Sequence, residues 1–210
     1  MFSEAITEEH VYPRPGEGSV FPATVFERSA ATALVTLAFA TDPVARWLYP
    51  DAADYLIHFP HFIRGFAGAA FDAETAFMTS DMSGAALWLP PGFGADDDQL
   101  NELFELTVPE RLKPELFEMF DQMAAFHPKE PHWYLPMIGV ETRSQGKGIG
   151  AKLMRYALER VDSEGLPAYL ESSNPRNISL YERFGFAVVG TIKAGSAPPM
   201  YPMFRRPLGG

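Results

Sequence analysis

The chain has 210 residues, 47% of them hydrophobic, and a formal charge of −10 at pH 7. That is enough apolar content for one domain with a developed core, and the wrong sign of charge for a nucleic-acid partner. No cysteine is present, which excludes a disulfide framework, a thiol nucleophile and a cysteine-ligated metal.

Residues 1–22 carry Pro13, Pro15, Gly16, Gly18 and Pro22 among polar residues, the composition of an irregular arm. The start is acidic and has no signal-peptide pattern, and the longest apolar run, residues 30–40, is too short to span a bilayer. Together these point to a cytoplasmic protein without a membrane partner. A strand is expected near 23–28, then a helix capped by Ser29 and running through Ala40. Asp42-Pro43 restarts a helix, and Asp51 caps another that reaches about Gly68. Strands over Ala76–Thr79 and 85–89 enclose a turn, hence a hairpin. The cluster Asp96, Asp97 and Asp98 precedes helical segments to about Phe126, broken around Pro109 and Pro114.

The last third reads as strand Trp133–Val140, helix 148–163 and strand Ala168–Ser172. Leu153, Met154, Ala157, Leu158 and Val161 recur at helical spacing, and Gly165 ends that helix. The two strands are parallel if the helix is a crossover. Asn174-Pro175 opens a short helix through Phe184 that Gly185 terminates. Strands 186–193 and 200–205 follow as antiparallel neighbours. The whole is an α/β (α+β) domain over 23–207, with a mixed sheet and helices on both faces.

Between strand Trp133–Val140 and its helix lies the run Arg143-Ser144-Gln145-Gly146-Lys147-Gly148-Ile149-Gly150-Ala151. Three glycines at alternate positions cost roughly 0.5–1 kcal/mol each in a helix, relative to alanine. In exchange they expose bare N–H groups where a helix already favours an anion. Phosphate binds such ends readily, so a phosphorylated cofactor is expected here. A P-loop is excluded because no Gly-Lys-Ser/Thr closes the run. Gly146, Gly148 and Ala151, with Glu171, also satisfy a dinucleotide fingerprint. That fold needs several more βα units, and only 39 residues follow Glu171.

Arg143-x-x-Gly146-x-Gly148 resembles the acetyl-CoA signature of the GNAT superfamily of N-acetyltransferases. Asn174, followed by Tyr181-Glu-Arg-Phe-Gly-Phe186, is similar to the second signature of that superfamily, in the correct order. Residues 128–131, 145–150 and 170–177 resemble the branch that includes puromycin N-acetyltransferase, and the likeness covers roughly 128–206. The resemblance implies a GNAT-like, mostly antiparallel sheet with a central parallel pair. It also implies acetyl-CoA as cosubstrate and a small-molecule amine as acceptor, with no metal. Phosphates would rest on the amides of Gly146 to Ala151, with Arg143, Gln145, Lys147 and Ile149 in the same loop and Lys152 adding charge. Ile138, Gly139 and Val140 would lie along the pantetheine arm, with an oxyanion donor near Met137–Ile138. Asn174 would bond that arm, and Tyr181 would protonate the leaving thiolate.

For a general base the residues offer Glu171, whose face of the strand is shared with Tyr169. Among the histidines, His127 and His132 flank a strand start, while His58 and His61 form a weak metal pair. Trp47, Tyr49, Trp88 and Phe93 are candidate pocket aromatics. Neither a thiol nucleophile nor a G-x-S-x-G elbow is present, so the acetyl group would move by direct attack. A non-catalytic acetyl-CoA-binding module and a nucleotide-dependent oxidoreductase are the rival readings, and a homodimer is compatible with either.

Overall fold

The computed structural model describes residues 18–207, so residues 1–17 of the expected arm lie outside the described residues. Seven strands form one sheet in the order β1-β2-β3-β4-β5-β7-β6. They are β1 (Val20–Pro22), β2 (Ala76–Thr79), β3 (Gly84–Leu89), β4 (Trp133–Val140), β5 (Ala168–Ser172), β6 (Ala187–Val188) and β7 (Tyr201–Arg205). Only β4 and β5 run parallel, and every other neighbouring pair is antiparallel. The eight α-helices are α1 (Arg28–Ala38), α2 (Pro43–Leu48), α3 (Ala52–Ala67), α4 (Ala69–Asp72), α5 (Asp97–Thr107), α6 (Lys113–Phe126), α7 (Ile149–Ser163) and α8 (Ile178–Glu182). No described helix is long and apolar enough to cross a membrane.

Acidic residues set most of the early helix starts. Asp42 Oδ1 accepts from the N–H groups of Val44 and Ala45 at 3.0 and 3.1 Å, and Asp51 and Asp96 cap α3 and α5 in the same way. Each such cap is worth about 1 kcal/mol. The start of α1 differs from the expectation. Val20–Pro22, placed in the arm, is a strand paired to β2, and no strand covers 23–28. Thr24 and Glu27 form a reciprocal box instead: the Glu27 carboxylate accepts from the Thr24 N–H, and Thr24 Oγ1 from the Phe26 N–H. Ser29 therefore falls inside the helix rather than at its cap. Pro114 sits in the first turn of α6, where a missing N–H is harmless, and does not break the helix.

Two apolar clusters lie on opposite faces of the sheet. One packs α1, α3, α5 and α6 against Ala85, Leu87, Leu89 and Met137. The other packs α7 and α8 against Ala86, Trp88, Trp133 and Leu135. In β4, Trp133 and Leu135 point to the α7 side but Met137 points to the other. The phase changes because the β3–β4 register slips: Met137 pairs with Leu87, yet Tyr134 pairs with Leu89. One extra residue at Leu135–Pro136 makes a bulge, which a proline without an N–H tolerates.

The expected strand 186–193 shrinks to Ala187–Val188, with one further bridge from Ile192 to Met200. Its Val188 and Val189 are 41% and 50% exposed, so no buried face holds a longer ladder in place. One strand in from this edge, Arg205 fixes β7 to α7. It is buried and donates twice to Asp162, at 2.6 and 2.9 Å, and once to the Phe184 carbonyl at 2.8 Å.

Gly139 sits after the bulge on the α1 side, where an added Cβ would lie 2.8 Å from Ala38 Cβ and 3.4 Å from Val35 Cα. Gly139→Ala should therefore cost about 1–3 kcal/mol by overpacking. Thermal unfolding should move down by several degrees; an unchanged midpoint would show that α1 does not press on this strand.

Candidate active site

The parallel pair holds only at its start. Trp133 and Tyr134 of β4 pair with Ala168 and Tyr169 of β5, and beyond them the strands part. β5 stays bonded to β7 through Ser172, and β4 to β3 through Val140. The cleft between them is open along one edge of β4. Glu141 N–H donates to Ser83 on the β3 side. Strand alternation then turns the N–H and C=O groups of Val140 and Ile138 into the cleft.

One side of the cleft is lined by Ile138, Val140, Gln145, Gly146, Gly148, Ile149, Gly150, Ala151, Asn174 and Tyr181, all sequence candidates. Gly146 and Gly148 have φ of +74° and +81°, and nothing lies within 4 Å of where a Cβ would stand. Left-handed backbone and open space together leave the loop amides bare, as an anion cradle requires. Gln145 Nε2 closes the loop on Val140 O at 3.2 Å. Asn174 Oδ1 accepts from the Arg176 N–H at 3.1 Å, so its capping role is present beside the cleft.

Three candidates stand apart from this lining. Gly139 faces α1, Arg143 lies in the 3₁₀ turn Thr142–Ser144, and Lys147 is not among the lining residues. Lys152 Nζ is committed to the Gly18 carbonyl at 2.7 Å. The positive charge at the cleft comes instead from Arg176 and Arg183, which nothing in the local sequence marks out.

The other side opens into an apolar cavity between α1, α3, α6 and the sheet, walled by Phe39, Phe59, Phe62, Phe66, Phe120 and several methionines. None of the expected pocket aromatics lines it. Trp47 bonds Ser196 at 3.1 Å, Tyr49 bonds Thr107 at 2.9 Å, Trp88 is in the core, and Phe93 borders a separate surface hollow. The histidine pair is likewise dispersed: His61 meets Arg64, and His58 stacks on Tyr49. Among the described residues no group of three His, Asp or Glu is placed to hold a metal.

Glu171 enters the cavity with its side chain only 2% exposed. Its Oε2 accepts from Tyr134 Oη at 2.8 Å, while Oε1 has no hydrogen-bond partner. His127 Nε2 approaches Oε1 to 3.4 Å from the outer hollow and stacks near Tyr134 and Tyr169. Burial first, and then the Glu171 charge, push the Tyr134 and Tyr169 phenols far above their ordinary value, and burial lowers the His132 imidazole.

Cleft and cavity meet at Tyr181, Ile138, Phe39, Asn177 and Asp42, which border both. Tyr181 is 5% exposed and its hydroxyl has no hydrogen-bond partner among the described residues. Burial, aided by the Asp42 charge, raises its phenol, so it keeps its proton at neutral pH. Asp42 was legible only as a helix cap. Its Oδ2 also accepts from Ser173 Oγ at 2.6 Å, a contact 131 residues away in the chain that no local pattern reveals. Burial raises its carboxyl despite these bonds.

Residues 112–186 match the family model described as the Acetyltransferase (GNAT) family. An uncharacterised N-acetyltransferase of Schizosaccharomyces pombe is 29% identical over 86% of this chain and 79% of its own length. A Corynebacterium glutamicum structure, described as a histone acetyltransferase HPA2 and related acetyltransferase, superposes with a TM-score of 0.65. It is 26% identical and covers 92% of this chain and 98% of its own. A Drosophila melanogaster polyamine N-acetyltransferase shares the fold, with a TM-score of 0.58 at 14% identity over 88% of this chain and 97% of its own.

Because the folded chain raises the Asp42 carboxyl, it binds that proton more tightly than the unfolded chain does. The ionised side chain thus works against stability at neutral pH, and that penalty fades as pH falls into the carboxylate range. Asp42→Asn, which can still cap α2, should melt above the parent at pH 7.5, with the gap closing toward pH 4. An equal gap at both pH values would contradict this.

Proposed function

We propose that this chain, an acetyltransferase with the GNAT fold, moves the acetyl group of acetyl-CoA onto the amine of a small molecule by direct attack. The observation that carries the reading is the single junction, bordered by Tyr181 and Ile138, at which the glycine-lined cleft meets the apolar cavity. When bound, acetyl-CoA supplies the acetyl carbonyl and the leaving thiolate. The open edge of β4 suits an extended arm added in the manner of a strand. The bare amides of residues 146–151, with Arg176 and Arg183 beside them, suit its phosphates.

Within this reading each residue has one task. The Ile138 N–H, turned into the cleft, donates to the charge that develops on the carbonyl oxygen, a contribution typically of about 3–4 kcal/mol. Tyr181 holds a proton for the sulfur. Burial raises its phenol, and the same dry surroundings disfavour a free thiolate, which keeps the transfer favourable. Glu171, buried with one unpaired oxygen, receives the proton of the attacking amine. His127, 3.4 Å away and facing the outer hollow, lies on the proton's way to water.

Residues 128–206 resemble the puromycin N-acetyltransferase branch, which makes an aminonucleoside one acceptor to try. The fold-level likeness to a polyamine N-acetyltransferase makes polyamines another. A cytoplasmic setting suits a chain that uses acetyl-CoA and has no cysteine.

Tyr181→Phe should lower kcat by about 100-fold or more, with acetyl-CoA still binding in calorimetry. A thiol-detecting reagent reads the turnover. Acetyl-CoA binding without turnover in the parent chain, over a broad amine panel, would favour a sensing module. Binding of NAD in place of CoA would favour an oxidoreductase.

A further inference from the structure

The acceptor cavity says more than "amine". We infer that its substrate is a monoamine on an apolar carbon skeleton, with its nitrogen seated on Glu171 Oε1; this rests on the acetyl-transfer reading above. The wall is a continuous run of rings. Phe59 and Phe62 stack at 5.5 Å, Phe62 and Phe66 at 5.1 Å, and Phe66 meets both Phe120 and Tyr134 edge-on at 6.2 Å. Among the described residues no Lys, Arg or His lines this cavity, and its charged side chains are Asp42 and Glu171. A body that fills it is therefore apolar, and a charge that enters it is positive.

The number of nitrogens follows from which oxygens are already engaged. Asp42 is already engaged at both oxygens, Oδ1 capping α2 and Oδ2 taking the Ser173 hydroxyl. Glu171 Oε2 is held by Tyr134. That leaves Glu171 Oε1, buried and without a hydrogen bond, a state that few native polar atoms keep unless water or a ligand completes them. His127 lies near this oxygen but approaches from the outer hollow and does not hydrogen-bond it. One vacant acceptor suits one ammonium or amine group. A second amine, a guanidine or a ring of hydroxyls would meet mostly phenyl faces, and a site that strands polar groups rejects them strongly.

The test is a thiol-release assay on the full chain with acetyl-CoA. 2-Phenylethylamine, tryptamine and hexylamine are set against agmatine, spermidine and glucosamine. The apolar monoamines should exceed the others by at least 10-fold in kcat/KM. Agmatine, spermidine or glucosamine reacting as well or better would overturn the inferred substrate class while acetyl transfer stands. No thiol release from any amine, with CoA bound in calorimetry, would overturn both. Direct calorimetry of 2-phenylethylamine with the CoA-loaded chain supplies a readout free of turnover. Glu171→Gln should weaken its binding at least 10-fold, and Phe66→Leu, which keeps the wall apolar, about 3-fold. Unaltered binding in Glu171→Gln would rule out that carboxylate as the seat.

Discussion

Everything at the junction depends on the separation of β4 from β5. Two residue pairs hold these strands together, and past Tyr134 the ladder ends. The extra residue at Leu135–Pro136 turns β4 over and bends it away, so Met137 and Gly139 press on α1 while Ile138 and Val140 turn backbone groups toward the cleft. A regular parallel ladder would fill that space with its own hydrogen bonds. The bulge therefore accounts both for where a strand-like ligand can lie and for why the glycine loop opens beside it.

Charge is sorted about the same point. The chain is strongly acidic, yet the cleft next to the bare amides carries Arg176 and Arg183, whereas the cavity beyond carries Asp42 and Glu171 and no cation. Tyr181 stands between the two, neutral and dry. Charges of opposite sign thus face this side chain from its two sides, and the low-dielectric surroundings strengthen each contact made there.

How much of this can be read from the amino acids alone varies with how local the signal is. Strands β2, β4 and β5 follow from compact apolar runs, α7 from its 3.6-residue periodicity, and the starts of α2 and α3 from Asp42 and Asp51. The stretch 186–193 looks as strand-like as any, but its valines find no buried partner and only Ala187 and Val188 pair with β7. The glycine loop is legible because bare backbone has few other uses. Tyr181 is legible only through the resemblance, since nothing in its neighbours marks it out. The apolar cavity is invisible at that level. Phe39, Phe62 and Phe120 follow α1 or sit on α3 and α6, each ordinary as core, and only tertiary packing makes a wall of them. Asp42 meeting Ser173 is hidden for the same reason.

The order of strands also has a consequence for biosynthesis. β7, the last of the described strands in chain order, inserts between β5 and β6 and pairs with all five residues of β5. A nascent chain that has reached Ser172 therefore exposes a buried-type strand, Ala-Tyr-Leu-Glu-Ser, tethered to β4 by only two residue pairs. Such an uncovered edge invites pairing with other chains. Cooperative closure of the sheet waits for residues 201–205, and a truncation just before them would yield aggregates in place of a smaller folded product.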